Sequence, residues 1–348
     1  GREDVQSSTD KTAKEGEDGA SGVSGEVSGH GRRKGENDFD SVGGKNSEES
    51  GSDGVPAGTE LEETAGKGTG KRGSEQPAAL TAKKAESTIP GGNWEIKESA
   101  SGKTSKTQRF KQNIEAIKLL KKLEEENSMP THEEQAILAA YNGWGGLKEA
   151  FVDGTKENTE LKALLTPEEY NAAKATINDA FYTSPDIVRA IWKGVSRLGF
   201  KGGRILDPSM GVGNFFGCMP RGMMAKSDLH GVEIDSLTSR LAQMLYPGAF
   251  VDNKGFQDTA TPDNFFDLVI SNIPFGQKKI DGYQIHNYFF ANGIDKVRPG
   301  GLMVFITSQG SLIGGKDGNR MRSYLASKAD MLGAFKLPTT AFDEAGTS

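Results

Sequence analysis

Ile205-Leu206-Asp207-Pro208-Ser209-Met210-Gly211-Val212-Gly213-Asn214-Phe215 is the stretch from which the rest of the chain is read. A short apolar run ends on a carboxylate, and a Gly-x-Gly turn then lets the backbone approach a ligand before a helix starts. Taken alone, the pattern also suits any tight strand-to-helix turn in an α/β protein. A dehydrogenase fingerprint needs Gly-x-Gly-x-x-Gly, and here the third glycine, Gly217, falls one residue late. An acid ahead of the glycines is out of place in a phosphate grip and suits a cationic ligand.

Downstream of this turn the chain repeats a rhythm of short apolar run, glycine turn and helix. Strands are predicted at 204–207, 229–233, 266–271, 302–307 and 331–336, with helices at about 212–219, 236–246, 286–297 and 319–329. Such runs fit strands covered on both faces, and helical crossovers imply a doubly wound, mostly parallel sheet of Rossmann-like α/β class. Upstream, residues 106–200 read as a helical lead-in. Phe110, Ile114, Ile117, Leu120 and Leu123 recur at helical spacing, and Thr131, Thr166-Pro167 and Ser184-Pro185 announce helix starts. Tyr141-Asn142-Gly143-Trp144-Gly145-Gly146-Leu147 reads as a glycine helix stop with Trp144 packed in the core, or alternatively as a docking element.

Two further segments carry chemistry. His230-Gly231-Val232-Glu233-Ile234-Asp235 ends an apolar run on Glu233, 20 residues after Gly213, where doubly wound folds receive ribose hydroxyls. Asp235 is better explained as a helix cap. In Asp267-Leu268-Val269-Ile270-Ser271-Asn272-Ile273-Pro274-Phe275-Gly276, a strand delivers an amide, an extended residue before proline and an aromatic ring to the carboxyl edge of the sheet. The plainer alternative is a strand entering a Pro-Gly turn, with Phe275 plugging the core.

With Phe181-Tyr182-Thr183-Ser184-Pro185 ahead of them, these ordered motifs resemble the amino-methyltransferases that methylate adenine in DNA. More narrowly, they are similar to the large methylase–helicase proteins of phages, plasmids and integrative elements, over about residues 110–347. The resemblance implies a class I methyltransferase fold using S-adenosyl-L-methionine. It implies that Phe181, Tyr182 and Pro185 cover the methionine moiety, that Asp207 and Gly211 to Gly213 cradle the cofactor, and that Glu233 binds its ribose. It leaves Gln257 or Asp258 to meet the cofactor's adenine, and gives Asn272, Ile273, Pro274 and Phe275 the catalytic role. The usual motif is Asn-Pro-Pro-aromatic, so Ile273 is a departure, although the chemistry asks only for the carbonyl at that position.

The adenine amine is a poor nucleophile because its lone pair is delocalised. The Asn272 oxygen and the Ile273 carbonyl can accept its two hydrogens and favour a tetrahedral nitrogen, with Phe275 stacking on the flipped base. DNA is the expected partner, together with a helicase domain in the same full-length chain. Lys278 and Lys279 stand where they can meet phosphate, or are simply solvated. A protein-glutamine or RNA methyltransferase, and a non-catalytic DNA-associated module, remain open alternatives.

The bulk composition sets bounds on this reading. Residues 1–105 hold 20 acidic and 14 basic residues and almost no periodic apolar positions, which predicts a disordered tail. The remainder balances at 28 charges of each sign, so it is no basic clamp. The expected organisation is a tail over 1–105, the lead-in over 106–200, and a catalytic domain over 201–348, truncated before its last strand and recognition region and inactive in isolation. Cys218 is the only cysteine, which excludes an internal disulfide and fits a cytoplasmic location. No metal is expected, because His132, His230 and His286 lack ligand spacing. No membrane is expected either, because no run is long and apolar enough to span one.

Overall fold

The structure, a computed structural model, describes residues 92–97, 104–178, 183–276, 278–308, 315–338 and 341. Four helix starts of the lead-in carry side-chain caps, two of them at the Thr131 and Thr166 that the sequence announces. Ser105 accepts from the Gln108 N–H at the start of α1 (Lys106–Glu125). Thr131 and Glu134 form a reciprocal capping box on α2 (His132–Leu138). Thr155 caps α3 (Lys156–Leu164), and Thr166 with Glu169 caps α4 (Pro167–Ala175) behind a proline at its first position. Helix α5 (Pro185–Arg197) also has a proline at its first position, but Ser184 ahead of it makes no side-chain cap bond.

Strand β1 (Arg204–Asp207) begins the α/β part, followed by the short helices α6 (Asn214–Gly217) and α7 (Arg221–Met224). Then come β2 (Asp228–Val232), α8 (Ser236–Leu245), β3 (Phe250–Asp252) and β4 (Phe266–Asn272). A small antiparallel hairpin, β5 (Lys279–Ile280) and β6 (Tyr283–Gln284), leads into α9 (Ile285–Lys296), β7 (Val297–Ile306) and α10 (Gly315–Lys328). The main sheet runs β3-β2-β1-β4-β7 and is parallel throughout. Strand order therefore reverses between β1 and β4, which opens a crevice at their carboxyl ends.

Alternation along the strands divides the core in two. Ile205, Leu268 and Ile270 join one apolar cluster with Ile117, Trp192 and Leu241 of the helices on that side. Leu206, Val269 and Ile273 join the other, with Tyr288, Phe289 and Met321. This is the three-layer arrangement that the buried strands require. Polar bonds fasten the lead-in to the first layer. The Trp192 Nε1–H donates to the Phe215 carbonyl at 2.8 Å, and Arg240 of α8 pairs with both Glu124 and Glu169.

Three features depart from the sequence expectations. Residues 331–336 form no strand: Met331 is 72% exposed and Phe335 93% exposed. A strand needs a ladder partner, and among the described residues β7 pairs only with β4. Conversely, Phe250–Asp252 is a strand, because its backbone pairs with β2, although a run of three residues is too short to be read as a strand from the sequence. Finally, residues 92–97, which composition assigned to the tail, are seated on the core. The Trp94 N–H donates to Leu245 O and the Ile96 N–H to Gly217 O, both at 2.8 Å, while Gly92 O accepts from Gln135 Nε2 at 2.8 Å. Short isolated apolar residues give no periodicity to read, yet Trp94 and Ile96 still pack against the main cluster.

Accordingly, a chain beginning at Gly91 should melt at the same temperature as the whole chain. One beginning at Thr104 loses those hydrogen bonds, worth about 1 kcal/mol each, and the buried parts of two apolar side chains. Its melting temperature, followed by circular dichroism, should fall by roughly 5 °C or more. Equal values for the two shortened chains would show that the 92–97 segment contributes nothing.

Candidate active site

Three neighbouring parallel strands end on polar side chains at one edge of the sheet. Asp207 ends β1, Glu233 follows the last residue of β2, and Asn272 ends β4. Sheet order puts β1 between the other two, so the three side chains share the carboxyl edge on either side of the crevice.

Asp207 is fully buried. Its Oδ1 accepts the Ser271 hydroxyl at 2.7 Å and the Ser209 N–H at 3.2 Å, whereas its Oδ2 is buried with no partner among the described residues. Burial pushes this carboxyl up to about 7 against the pull of those hydrogen bonds. Glu233 accepts the Gly211 N–H on Oε2 at 2.9 Å and the Asp235 N–H on Oε1 at 2.8 Å. Burial pushes it likewise up to about 7, with the Asp235 and Asp207 charges adding to the effect and the two N–H bonds opposing it.

The glycine turn between them is built for close packing as well as approach. Gly211 and Gly213 both have left-handed backbones, at φ 57° and 87°. A Cβ on Gly213 would collide with the Tyr246 ring, which lies against the turn and is itself fully buried. Its need for glycine is therefore conformational and steric on the core side, beyond the ligand approach that the motif suggested. Asp235 caps α8 by accepting the Thr238 N–H at 2.8 Å, as expected of it.

Asn214, just after the turn, donates from Nδ2 to the Thr183 carbonyl at 3.0 Å and so draws the start of α5, with Pro185, up to the glycine turn. Phe181 and Tyr182 lie outside the described residues. Gln257 and Asp258 sit together in an exposed 3-10 turn after β3, bonded to each other at 2.8 Å. The structure does not choose between them.

Ile273 is fully buried in the second cluster, and its N–H donates to Ile306 O at 3.2 Å, which extends the β4–β7 pairing by one step. A proline there would forfeit that bond. The departure from the usual motif thus has a use in the sheet. Phe275 is half-buried and belongs to neither apolar cluster, which removes the core-plug alternative among the described residues. Trp144, by contrast, is buried, and the glycine stop is a core element. Lys278 and Lys279 are exposed. His230 is a core residue packed between the Phe250 and Phe266 rings.

Sequence reasoning missed Ser271 and the Asn214–Thr183 link. Ser271 had a visible signal, a small hydroxyl at the end of an apolar run, but its target is 64 residues away. Among the described residues no His, Cys, Asp and Glu group is disposed to hold a metal ion, and no helix is long and apolar enough to cross a membrane.

Strand order and this edge define a Rossmann-like, doubly wound α/β fold with its crevice between β1 and β4. Comparison with known proteins carries the identification further. The family profile described as N-6 DNA Methylase matches residues 165–348, and this chain belongs to that family. Defense against restriction protein B of Escherichia phage P1 is 31% identical over 262 residues, covering 72% of this chain. The chain spans only 10% of that relative's length. Among solved structures, a protein described as a class I S-adenosylmethionine-dependent methyltransferase from Listeria monocytogenes is 18% identical, with 64% of this chain and 80% of that one covered at a TM-score of 0.39. A type I restriction-modification methyltransferase subunit from Streptococcus thermophilus is 14% identical, with 64% and 73% covered at a TM-score of 0.38.

The raised carboxyls carry a consequence for stability. An acid that holds its proton more tightly in the folded than in the unfolded chain stabilises the fold when protonated. That contribution is complete below its unfolded value near 4 and is lost as pH climbs to about 7. The ligand-free protein should therefore melt at a lower temperature at pH 8 than at pH 5.5. Asp207→Asn, which keeps an oxygen for Ser271 without a titrating group, should remove part of that slope, about 2 kcal/mol at most between these two pH values. An identical slope in the variant would show that Asp207 is ionised throughout.

Proposed function

We propose that this chain is the catalytic part of a DNA methyltransferase that moves a methyl group from S-adenosyl-L-methionine to the N6 amine of adenine. The observation that carries the reading is the alignment of Glu233, Asp207 and Asn272 on three adjacent strand ends flanking the switch in strand order. Membership of the N-6 DNA methylase family supports the acceptor.

The residues fit the cofactor. Asp207 Oδ2 is a buried acceptor lacking a donor, and Glu233 is an acid beside the glycine turn, so hydroxyls and positive charge are what this edge would stabilise. Glu233 would hold the ribose, Asp207 and the 211–213 turn the amino-acid end, Gln257 or Asp258 the adenine, and Pro185 with Phe181 and Tyr182 the methionine side. Bound there, the cofactor supplies an electrophilic methyl on a sulfonium centre.

The chain's own residues act on the acceptor. The Asn272 side-chain oxygen and the Ile273 carbonyl accept the two amine hydrogens, which frees the nitrogen lone pair from the ring. These bonds strengthen as positive charge grows on the nitrogen, so they stabilise the transition state more than the ground state. Pro274 holds Ile273 extended, and the Phe275 ring, free of both cores, offers a stacking face to a base turned out of the duplex.

Asp207→Ala and Glu233→Ala should each weaken cofactor binding by about tenfold or more in calorimetry, the cost of a hydrogen bond to a charged group. Unchanged affinity in both would move the cofactor elsewhere. Asn272→Ala should leave that affinity intact while methyl transfer falls about a hundredfold or more. Phe275→Ala should cost about 1–3 kcal/mol of base stacking. Tritium transfer from labelled cofactor to DNA, RNA and protein, measured side by side in the longer protein that carries this chain and its recognition region, reads the acceptor. Wild-type turnover by Asn272→Ala, or a preference for RNA or protein, sinks the assignment.

A further inference from the structure

A cleft of about 520 Å³ lies beside the glycine turn, on the side of the helical lead-in. Val212 and Asn214 line it from the α/β part, Thr183 and Pro185 from the start of α5, and Tyr141, Asn142 and Arg109 from the earlier part of the lead-in. Arg109 is only 5% exposed, yet no described carboxylate pairs with it. Among the described residues its guanidinium makes one hydrogen bond, from Nη2 to the Gly145 carbonyl at 2.9 Å. A guanidinium carries five N–H donors and cannot shed its proton, so burying it against a single neutral acceptor leaves most of its solvation unreplaced. Burial alone holds its proton affinity below the ordinary range, with no opposing charge to restore it.

The surroundings keep this cation in place. Asn113, one turn further along α1, donates to Gly143 O at 2.6 Å and accepts the Asn142 N–H at 2.8 Å. Arg109 and Asn113 together therefore pin the 142–145 loop by its backbone. The other ionisable groups lining the cleft are Glu95 and Lys97, and the Glu95 carboxylate is already taken by Arg221 at 2.5 Å. Arg109 is left as the buried charge that a ligand would have to answer.

We propose that Arg109 is an anion-recognising residue that takes the carboxylate of the cofactor's amino-acid end, so that the lead-in completes the cofactor site. The inference rests on the reading of the preceding subsection, in which Pro185 and the glycine turn flank the methionine moiety. A small ligand's carboxylate fits better than a duplex phosphate, because a side chain this buried inside a cleft is out of reach of a rigid backbone. A planar guanidinium also matches a carboxylate in paired hydrogen bonds.

The test uses the whole chain and calorimetric affinities for S-adenosylmethionine, decarboxylated S-adenosylmethionine and methylthioadenosine. The wild type should bind S-adenosylmethionine about tenfold to a hundredfold more tightly than the decarboxylated form, as expected for a charge-assisted hydrogen-bond pair. Arg109→Met should erase that preference and leave affinity for the decarboxylated form unchanged. Should that variant fail to fold by circular dichroism, Arg109→Gln, which keeps a donor for Gly145, takes its place with the same expectation. Equal wild-type affinity for the two cofactor forms, or a preference that survives the substitution, overturns the assignment of Arg109 alone. No binding of any of the three overturns the cofactor reading as well. A variant that loses affinity for DNA while keeping the cofactor preference overturns it in favour of a phosphate.

Discussion

The hydrogen bond from the Gly211 N–H to Glu233 Oε2, 2.9 Å long, ties the turn after β1 to the end of β2. Most of the carboxyl edge depends on it. The second oxygen of Glu233 holds the Asp235 N–H at the start of α8, so one side chain sets the spacing of a turn, a strand end and a helix. Acids rarely survive burial without such partners, and here the backbone supplies them. Asp207 beside it is served less completely. One oxygen is held by Ser271 and Ser209 and the other by no described residue, and burial makes the acid reluctant to ionise, which gives the edge its appetite for donors.

The lead-in is part of the same device. Arg240 reaches from α8 to Glu124 and Glu169, and Trp192 reaches from α5 to the first residues of α6. The 92–97 segment crosses from Gln135 of α2 to the Gly217 and Leu245 carbonyls. These bonds hold helices that carry no part of the sheet against the side on which the glycine turn opens. A cleft between two such bodies keeps its shape only if neither can drift.

The parts legible in the sequence were those whose reasons are local. The caps at Thr131, Thr166 and Asp235 follow from side chains three residues from their targets. The alternation of Leu268, Val269 and Ile270 between two cores follows from a strand's period. The strand ends at Asp207 and Glu233 were legible because an apolar run stops there. What escaped was set by distant partners. Residues 250–252 become a strand because β2 is beside them, and 331–336 do not because no described strand is. Trp94 and Ile96 looked isolated because the surface they cover is made by residues more than a hundred positions away. Arg109 carries no signal in the sequence, because only the fold sets it apart by burying it.

Distance along the chain also imposes an order in time. A ribosome releases β1 and its glycine turn well before β4, because Ser271 follows Asp207 by 64 residues. Until β4 arrives, Asp207 stands in water and gives up its proton as any carboxylate does. Docking of β4 removes that water and brings the Ser271 hydroxyl in the same movement, at which point the acid regains its hold on a proton up to about pH 7. Closure of the sheet between β1 and β4 thus links burial of Asp207 to proton binding, in the direction of uptake below about pH 7.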